Sequence, residues 1–412
     1  MNPTTHLANA MATRRAFLRT IGGGIALANA GLIARRAQAQ LPQGSVESAV
    51  LNTLPGKQPL IKRSFRPPNY ESPIESFDDA ITPNDRFFVR WHLSDIPRIG
   101  VDSWRLQVGG NSVERGFELT MEQLQRDFTP VEVVAVCQCA GNRRGLSDPH
   151  VPGVQWGYGA MGNARWKGVR LRDILVRAGL HKEAIEIAFN GSDRAPLAMT
   201  PAFVKSIPVW KAMDENTLIA YEMNGAPLPH WNGFPARIVV PGWTATYWMK
   251  QVVSIRALSD PLASFWMNTA YRIPKGKFAI IDRFTSQESE KTTPITEILV
   301  SSLITNVAAG QRFAADRPML IKGIAWDGGY GIRVVEVSVD EGVSWQTAEL
   351  GLNLGNYSVR TWQFAYSPRV AGRISIMARA SNAQGTSQPR ELIFNPAGYH
   401  NNVVQKIAID IV

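Results

Sequence analysis

The alternation of apolar and polar positions changes character along the chain and marks out its elements. Val131-Glu-Val-Val-Ala-Val-Cys-Gln-Cys139 is a nearly unbroken run rich in valine, and β-branched runs of this kind form strands. Leu171-Arg-Asp-Ile-Leu-Val-Arg-Ala-Gly179 predicts a short helix ended by glycine. Around these two segments short strands alternate with Pro/Gly-rich loops, so the region reads as α+β. The composition turns polar at Phe284-Thr-Ser-Gln-Glu-Ser-Glu-Lys-Thr-Thr-Pro294, which predicts a domain boundary there, near residues 285 and 286. Strands follow at regular spacing: Pro318–Trp326, Arg333–Val339 turning at Asp340-Glu-Gly342 into Val343–Trp345, then Arg360–Tyr366 and Gly372–Ala378. That rhythm predicts an immunoglobulin-like β-sandwich over 286–412.

The N-terminal segment follows a different logic. Thr13-Arg-Arg-Ala-Phe-Leu-Arg19, an apolar run from Ile21 to Ala34 and Ala37-Gln-Ala39 form a charged start, a short apolar stretch and a small-x-small cleavage site. The paired arginines before Phe-Leu resemble a twin-arginine signal over residues 1–39. That route exports folded proteins, and it predicts a periplasmic location for residues 40–412. The apolar run is too short and too glycine-rich to cross a bilayer, and no membrane span is expected.

With 412 residues, 45% apolar and 19% charged, the chain has room for two or three globular domains. Its net charge of +10 would suit nucleic acid. However, Arg14, Arg15, Arg19, Arg35 and Arg36 supply half of that charge within residues 1–39, which hold no Asp or Glu. No dense basic stripe remains, so nucleic-acid binding is not expected. A mildly basic surface fits a small anionic substrate or an acidic protein partner.

The two cysteines, Cys137 and Cys139, stand two apart on a strand, so their side chains share a face and run parallel, which disfavours a disulfide. Cys137 reads as a small buried hydrophobe. Cys139 precedes Ala140-Gly-Asn-Arg-Arg144, and a thiolate at a strand end beside two arginines is suited to a soft metal. No Cys-x-x-Cys-His haem motif is present. The twelve tryptophans sit singly in apolar patterns and read as packing residues.

Cys139-Ala-Gly-Asn-Arg-Arg144 resembles the molybdenum-ligating motif of the sulfite oxidase family. Further segments agree in order: Phe87-Phe-Val-Arg90-Trp-His92, Ala164-Arg-Trp166-Lys-Gly-Val-Arg-Leu-Arg-Asp173, Gly191-Ser-Asp193, Tyr221–Pro229, Gly233–Gly242 and Met267-Asn-Thr-Ala-Tyr271. The resemblance implies a molybdopterin domain over 40–285 followed by a dimerisation-type sandwich. It also implies a molybdenum–molybdopterin cofactor with one pterin and oxo groups, in which Cys139 is the protein's metal ligand. Phe88, Arg90, His92, Asp193, Asn232, Arg237, Trp248 and Lys250 fall where the family holds the pterin. Arg90, Arg144, Trp166 and Tyr271 fall around the substrate, the two arginines as fixed cations and the two rings as walls. His92 is either a titrating group that makes binding pH-sensitive or a pterin hydrogen-bond partner. Arg143 is expected to brace the loop by salt bridging. Two departures stand out: Asn232 replaces a histidine of the animal members, and Asn395-Pro-Ala-Gly398 stands where their second domain carries an arginine.

The implied reaction is oxidation of sulfite to sulfate, with electrons leaving singly. No second redox centre is legible, so a c-type cytochrome is expected as partner, either a tight subunit or a soluble acceptor. Alternatives are a nitrate or sulfoxide reductase of the same fold, or an exported binding protein without catalysis.

Overall fold

The computed structural model describes residues 51–278 and 290–412. The expected signal over 1–39 and the exact junction at 285 and 286 lie outside these residues. The described chain is built mainly of strands. Among these residues no helix is long and apolar enough to cross a membrane.

The first half rests on two sheets. One has five strands in the order Val204–Pro208, Glu186–Gly191, Val252–Leu258, Leu106–Gly110 and Phe117–Leu119. Its single parallel pairing joins Val252–Leu258 to Leu106–Gly110. The other runs Ala226–Pro227, Leu218–Met223, Met161–Arg170 and Pro130–Gln138, with Arg237–Val239 also paired to Leu218–Met223. The valine-rich run is thus a strand, Pro130–Gln138, and it pairs along its whole length with Met161–Arg170. It stops one residue short of Cys139. The predicted helix spans Leu171–Ala178 and buries Leu171, Ile174, Leu175 and Ala178. Gly179 ends it in the left-handed conformation, φ +67°, with its N–H on the Leu175 carbonyl.

The second half is a two-layer sandwich. Ser301–Ile304, Met319–Trp326, Arg360–Tyr366 and Glu349–Leu350 form one sheet. Arg312–Phe313, Gln405–Ile411, Gly372–Asn382, Ile332–Ser338 and Gln346–Thr347 form the other. Ile321, Val335, Trp362, Ile376 and Ile407 fill the space between them. The hairpin expected at Val343–Trp345 pairs later, at Gln346–Thr347. The reason is the Asp340 carboxylate, which accepts from Ser344 N at 2.9 Å and from Ser338 Oγ at 2.7 Å and so keeps residues 340–344 in a turn.

The two halves share a core. Ile74, Phe77, Val136, Tyr158 and Met161 pack directly on Ile298, Leu303, Ile324, Trp326 and Val359. Val136 N donates to Tyr357 O at 2.9 Å, and Trp326 Nε1 donates to Gln138 Oε1 at 2.6 Å. The strand that leads to Cys139 is therefore clamped from the second half.

Two groups should dominate the response of this fold to mutation and to acid. Glu71 is fully buried and accepts from Arg63 Nε at 2.7 Å, Gly157 N at 2.9 Å and Gly159 N at 2.8 Å. Glu71→Ala strands all three donors and should cost about 3–5 kcal/mol in urea unfolding; an unchanged midpoint would show that the 157–159 loop does not depend on it. His400, half-buried, has its pKa pulled down by burial from 6.5 to about 4. Above pH 6.5 the ring is neutral in both folded and unfolded chains. Below it only the unfolded chain takes the proton, so stability falls by about 1.4 kcal/mol per pH unit toward pH 4, up to about 3 kcal/mol. His400→Gln should remove this component, read as a difference between variant and parent melts at pH 7 and pH 4.5.

Candidate active site

Cys139 is set by the strand that precedes it and the loop that follows. Its N–H donates to Ala160 O at 2.9 Å, and its carbonyl accepts from Asn142 N at 3.0 Å. The Asn142 side chain returns to Ala160 N at 3.0 Å, so the loop closes on the edge of the neighbouring strand. Arg143 takes a left-handed conformation, φ +67°, and this sends the two arginines of the motif to different places. Arg143 runs into the second half, where it donates to Ser302 O at 2.7 Å and Val403 O at 3.1 Å and lies against the Tyr158 and Trp326 rings. Burial lowers its pKa to about 10. It braces the loop as expected, but through carbonyls and rings; no carboxylate meets it among the described residues.

Arg144 turns toward Tyr399. It donates from Nε to Ala397 O at 2.9 Å and from Nη1 to Val154 O at 3.3 Å. A Cβ on Gly141 would lie 2.5 Å from its Nη1, so the glycine of the motif is the space its guanidinium occupies.

The Cys139 side chain, 6% exposed, faces a cleft lined also by Cys137, Phe88, Arg90, His92, Asn232, Arg237, Thr246, Lys250 and Tyr271. Eight of the twelve residues expected at the site therefore meet on one cavity. Arg144 sits beside it through Tyr271 and Tyr399.

Trp166 and Trp248 do not line the cleft. Both are buried edge to face, 5.6 Å apart, and their indole N–H groups donate to Ala135 O and Trp243 O. They flank the Arg237 guanidinium, with its central carbon 4.9 and 5.6 Å from their ring centres. The expectation that Trp166 forms a substrate wall is corrected: strand pairing places it on the core face, behind Arg237. Asp193 also stands outside the lining, where its charge opposes the fall in the Lys250 pKa. Burial pushes the Asp193 carboxyl up and the Lys250 ammonium down.

On one wall Tyr271, itself at φ +60°, holds Arg90 and His92 together. Arg90 Nη2 donates to the Tyr271 oxygen at 3.3 Å, and the Tyr271 hydroxyl meets His92 Nε2. Arginine can only donate, so the phenol O–H is left to donate to Nε2 and the ring proton belongs on Nδ1. His92 stacks on Phe203 at 3.7 Å. Burial, then Arg90, Lys250 and Lys205, hold its pKa well below 6.5. The idea that His92 titrates near neutral pH is corrected accordingly: this ring is neutral.

On the opposite wall Asn232 accepts from Lys57 Nζ at 2.6 Å and donates to Phe88 O at 3.1 Å. Lys57 also donates to Asn84 O at 2.5 Å and Phe87 O at 3.0 Å. Arg237 donates to Asn232 O at 2.9 Å, while its Nε and the Thr246 hydroxyl are buried with no hydrogen-bond partner among the described residues.

Sequence reasoning missed Lys57, Thr246, Lys205 and Tyr399. Lys205 is fully buried, with one acceptor at Trp266 O, 2.6 Å, and the Tyr247 and Tyr271 rings against its ammonium. Nothing in the local sequence around these residues names a partner.

The charge balance is lopsided. Lys57, Arg143, Arg144, Lys205 and Arg237 are buried, and Arg90 and Lys250 line the cleft, yet none forms an ion pair among the described residues. Lys211, also buried, has Asp214 at 2.8 Å. Buried cations without counter-ions, beside orphaned donors, fit an anionic group bound from outside. A molybdopterin fits this set, with its phosphate and its sulfur ligands. No cluster of three or more His, Cys, Asp or Glu that could hold a metal occurs among the described residues. A metal at Cys139 therefore needs a carrier that supplies most of its ligands.

Comparison with known proteins agrees. The oxidoreductase molybdopterin-binding domain family matches residues 92–266, and the Mo-co oxidoreductase dimerisation domain family matches 292–412. Mitochondrial sulfite oxidase of Rattus norvegicus is 34% identical over 374 residues, covering 87% of this chain and 67% of its own length. Sulfite oxidase of Gallus gallus is 33% identical over 356 residues, covering 81% and 74%. NADH nitrate reductase of Hordeum vulgare is 29% identical over 383 residues, covering 87% of this chain and 41% of its own. The chain thus spans about two thirds of the mitochondrial enzymes and less than half of the plant one. The crystal structure of the sulfane dehydrogenase SoxCD from Paracoccus pantotrophus superposes with a TM-score of 0.71 at 26% identity, over 84% of this chain and 85% of that one. With a cleft-facing thiol at Cys139, cations around it that form no ion pair among the described residues, and these matches over both halves, the chain belongs to the sulfite oxidase family of molybdenum oxidoreductases.

Proposed function

We propose that the protein oxidises sulfite to sulfate at a molybdenum centre carried by one molybdopterin and passes the electrons singly to a c-type cytochrome. The observation that carries this reading is the set of buried cations that form no ion pair among the described residues, gathered around the cleft that Cys139 faces. Sulfite gains one oxygen from water and loses two electrons, with release of two protons. When bound, the molybdenum cofactor supplies that oxygen transfer and electron uptake.

The protein's share is binding and orientation. Cys139 ligates the metal, and Arg237, Lys250 and Thr246 hold the pterin and its phosphate, with Trp166 and Trp248 fixing Arg237 from behind. Lys57 orients Asn232. Arg90, backed by Tyr271, offers a planar donor fork to substrate oxygens. Arg144 adds a second fixed charge. Neutral His92 accepts from Tyr271 and so keeps the phenol oxygen turned to Arg90.

The paired arginines of residues 13–19 support twin-arginine export and a periplasmic setting. The strand layout supports an immunoglobulin-type reading of the sandwich, with the junction near 285 and 286. The likeness to the sulfane dehydrogenase SoxCD supports a second reading in which sulfane sulfur is the substrate. Barley nitrate reductase supports a reductase alternative.

On molybdenum-loaded protein, sulfite should reduce ferricytochrome c and ferricyanide. Loss of both, with stoichiometric metal present, overturns the assignment and directs the assay to sulfane donors and to nitrate with reduced dye. Cys139→Ser should lower turnover by at least about a thousandfold and reduce bound molybdenum, measured by elemental analysis. Lys57→Met removes a hydrogen-bonded charge from behind Asn232. It should weaken pterin retention about tenfold, read as pterin content after gel filtration of correctly folded protein.

A further inference from the structure

A loop from the second half reaches the Cys139 end of the cleft and is unusually well fixed. Asn395 Oδ1 accepts from Tyr399 N at 3.1 Å, and its Nδ2 donates to Tyr399 O at 2.6 Å. Gly398 N donates back to Asn395 O at 3.0 Å. Residues 395–399 are thereby closed into a tight turn. Gly398 is left-handed at φ +59°, and a Cβ there would come within 2.4 Å of Val151 Cγ2 and 2.8 Å of Arg144 Cγ. The turn lies flush on Arg144 because that atom is missing.

Two contacts result. The Arg144 guanidinium sits over the Tyr399 ring, 5.1 Å from its centre, with its Nε tied to Ala397 O. The Tyr271 ring stacks on the same residue at 5.6 Å and 12°. Tyr399, Tyr271, Ala397 and Ala140 form one buried cluster, and Ala140 is the residue next to Cys139. One aromatic side chain thus touches both Tyr271, which lines the cleft, and Arg144, which sits beside it. It does so from the loop where the sequence shows no arginine of its own.

We propose that Tyr399 is a positioning residue for the substrate's oxyanion: its ring holds Arg144 and Tyr271 in the geometry that receives a small sulfur oxyanion beside Cys139. The contact is a cation over a π face and a ring stack, both of which need the ring and not the hydroxyl. The choice of anion rests on the sulfite reading; the positioning role does not.

The test uses molybdenum-loaded protein with two readouts, KM and kcat for sulfite and the dissociation constant of sulfate by calorimetry. Tyr399→Ala should raise KM about tenfold and weaken sulfate to a similar extent, while kcat stays within about threefold. Tyr399→Phe should stay within about twofold of the parent on every measure. In an Arg144→Gln background, Tyr399→Ala should change KM by no more than about twofold, because the group it positions is gone. If the alanine variant does not fold, Tyr399→Leu replaces it, with the same loss expected. An unchanged KM and sulfate affinity in the alanine or leucine variant overturns the proposal, as does a phenylalanine variant as impaired as alanine. A kcat loss at constant KM overturns it too. Should the parent not oxidise sulfite, the sulfate titration alone decides: weaker binding in the alanine but not the phenylalanine variant supports the role, and equal or absent binding overturns it.

Discussion

Positive charge enclosed without direct ion pairs among the described residues is the constraint on which this structure turns. Removing one arginine or lysine from water carries a penalty of several kcal/mol unless other groups replace the lost solvation. Here that replacement comes from carbonyl oxygens and aromatic faces: Ser302 O and Val403 O for Arg143, Ala397 O for Arg144, Trp266 O for Lys205, and Asn84 O and Phe87 O for Lys57. Such dipoles solvate a cation without neutralising it. The positive potential therefore survives inside the cleft, where a weakly screened field acts strongly on any anion that enters.

The backbone supplies the aim. A strand that ends at Gln138 leaves Cys139 at the margin of its sheet, and Glu71 anchors the 157–159 segment on which the cysteine loop closes. Arg143 at positive φ then splits the arginine pair, one to bind the two halves together and one to serve the cleft. Because Arg143, Arg144 and Gln138 all find partners beyond residue 290, cleft geometry and inter-domain packing form a single problem. A shift of the sandwich would move the donors around the thiol.

Much of this was legible in the sequence. The strand before Cys139, the helix ended by Gly179 and most sandwich strands follow from apolar period and glycine placement, which are local. The site was legible where a motif carried it, as with Cys139, Arg90, Tyr271 and Arg237. Legibility failed where direction or distance decided the outcome. Trp166 sits in a matching segment, but the alternation of its strand turns it to the core face. Lys57 lies in a Pro/Gly-rich stretch 175 residues from the Asn232 it holds. Tyr399 joins Tyr271 only through tertiary packing. The His92 pKa is held down first by burial and then by three cations, two of them remote in sequence.

The division of labour between Arg143 and Arg144 also bears on how the protein is made. Arg143 finds both of its carbonyl acceptors, and Arg144 the acceptor of its Nε, only when the C-terminal sandwich is in place. The loop that follows the thiol is therefore fully tied down only by residues of the second half, Ser302, Ala397 and Val403.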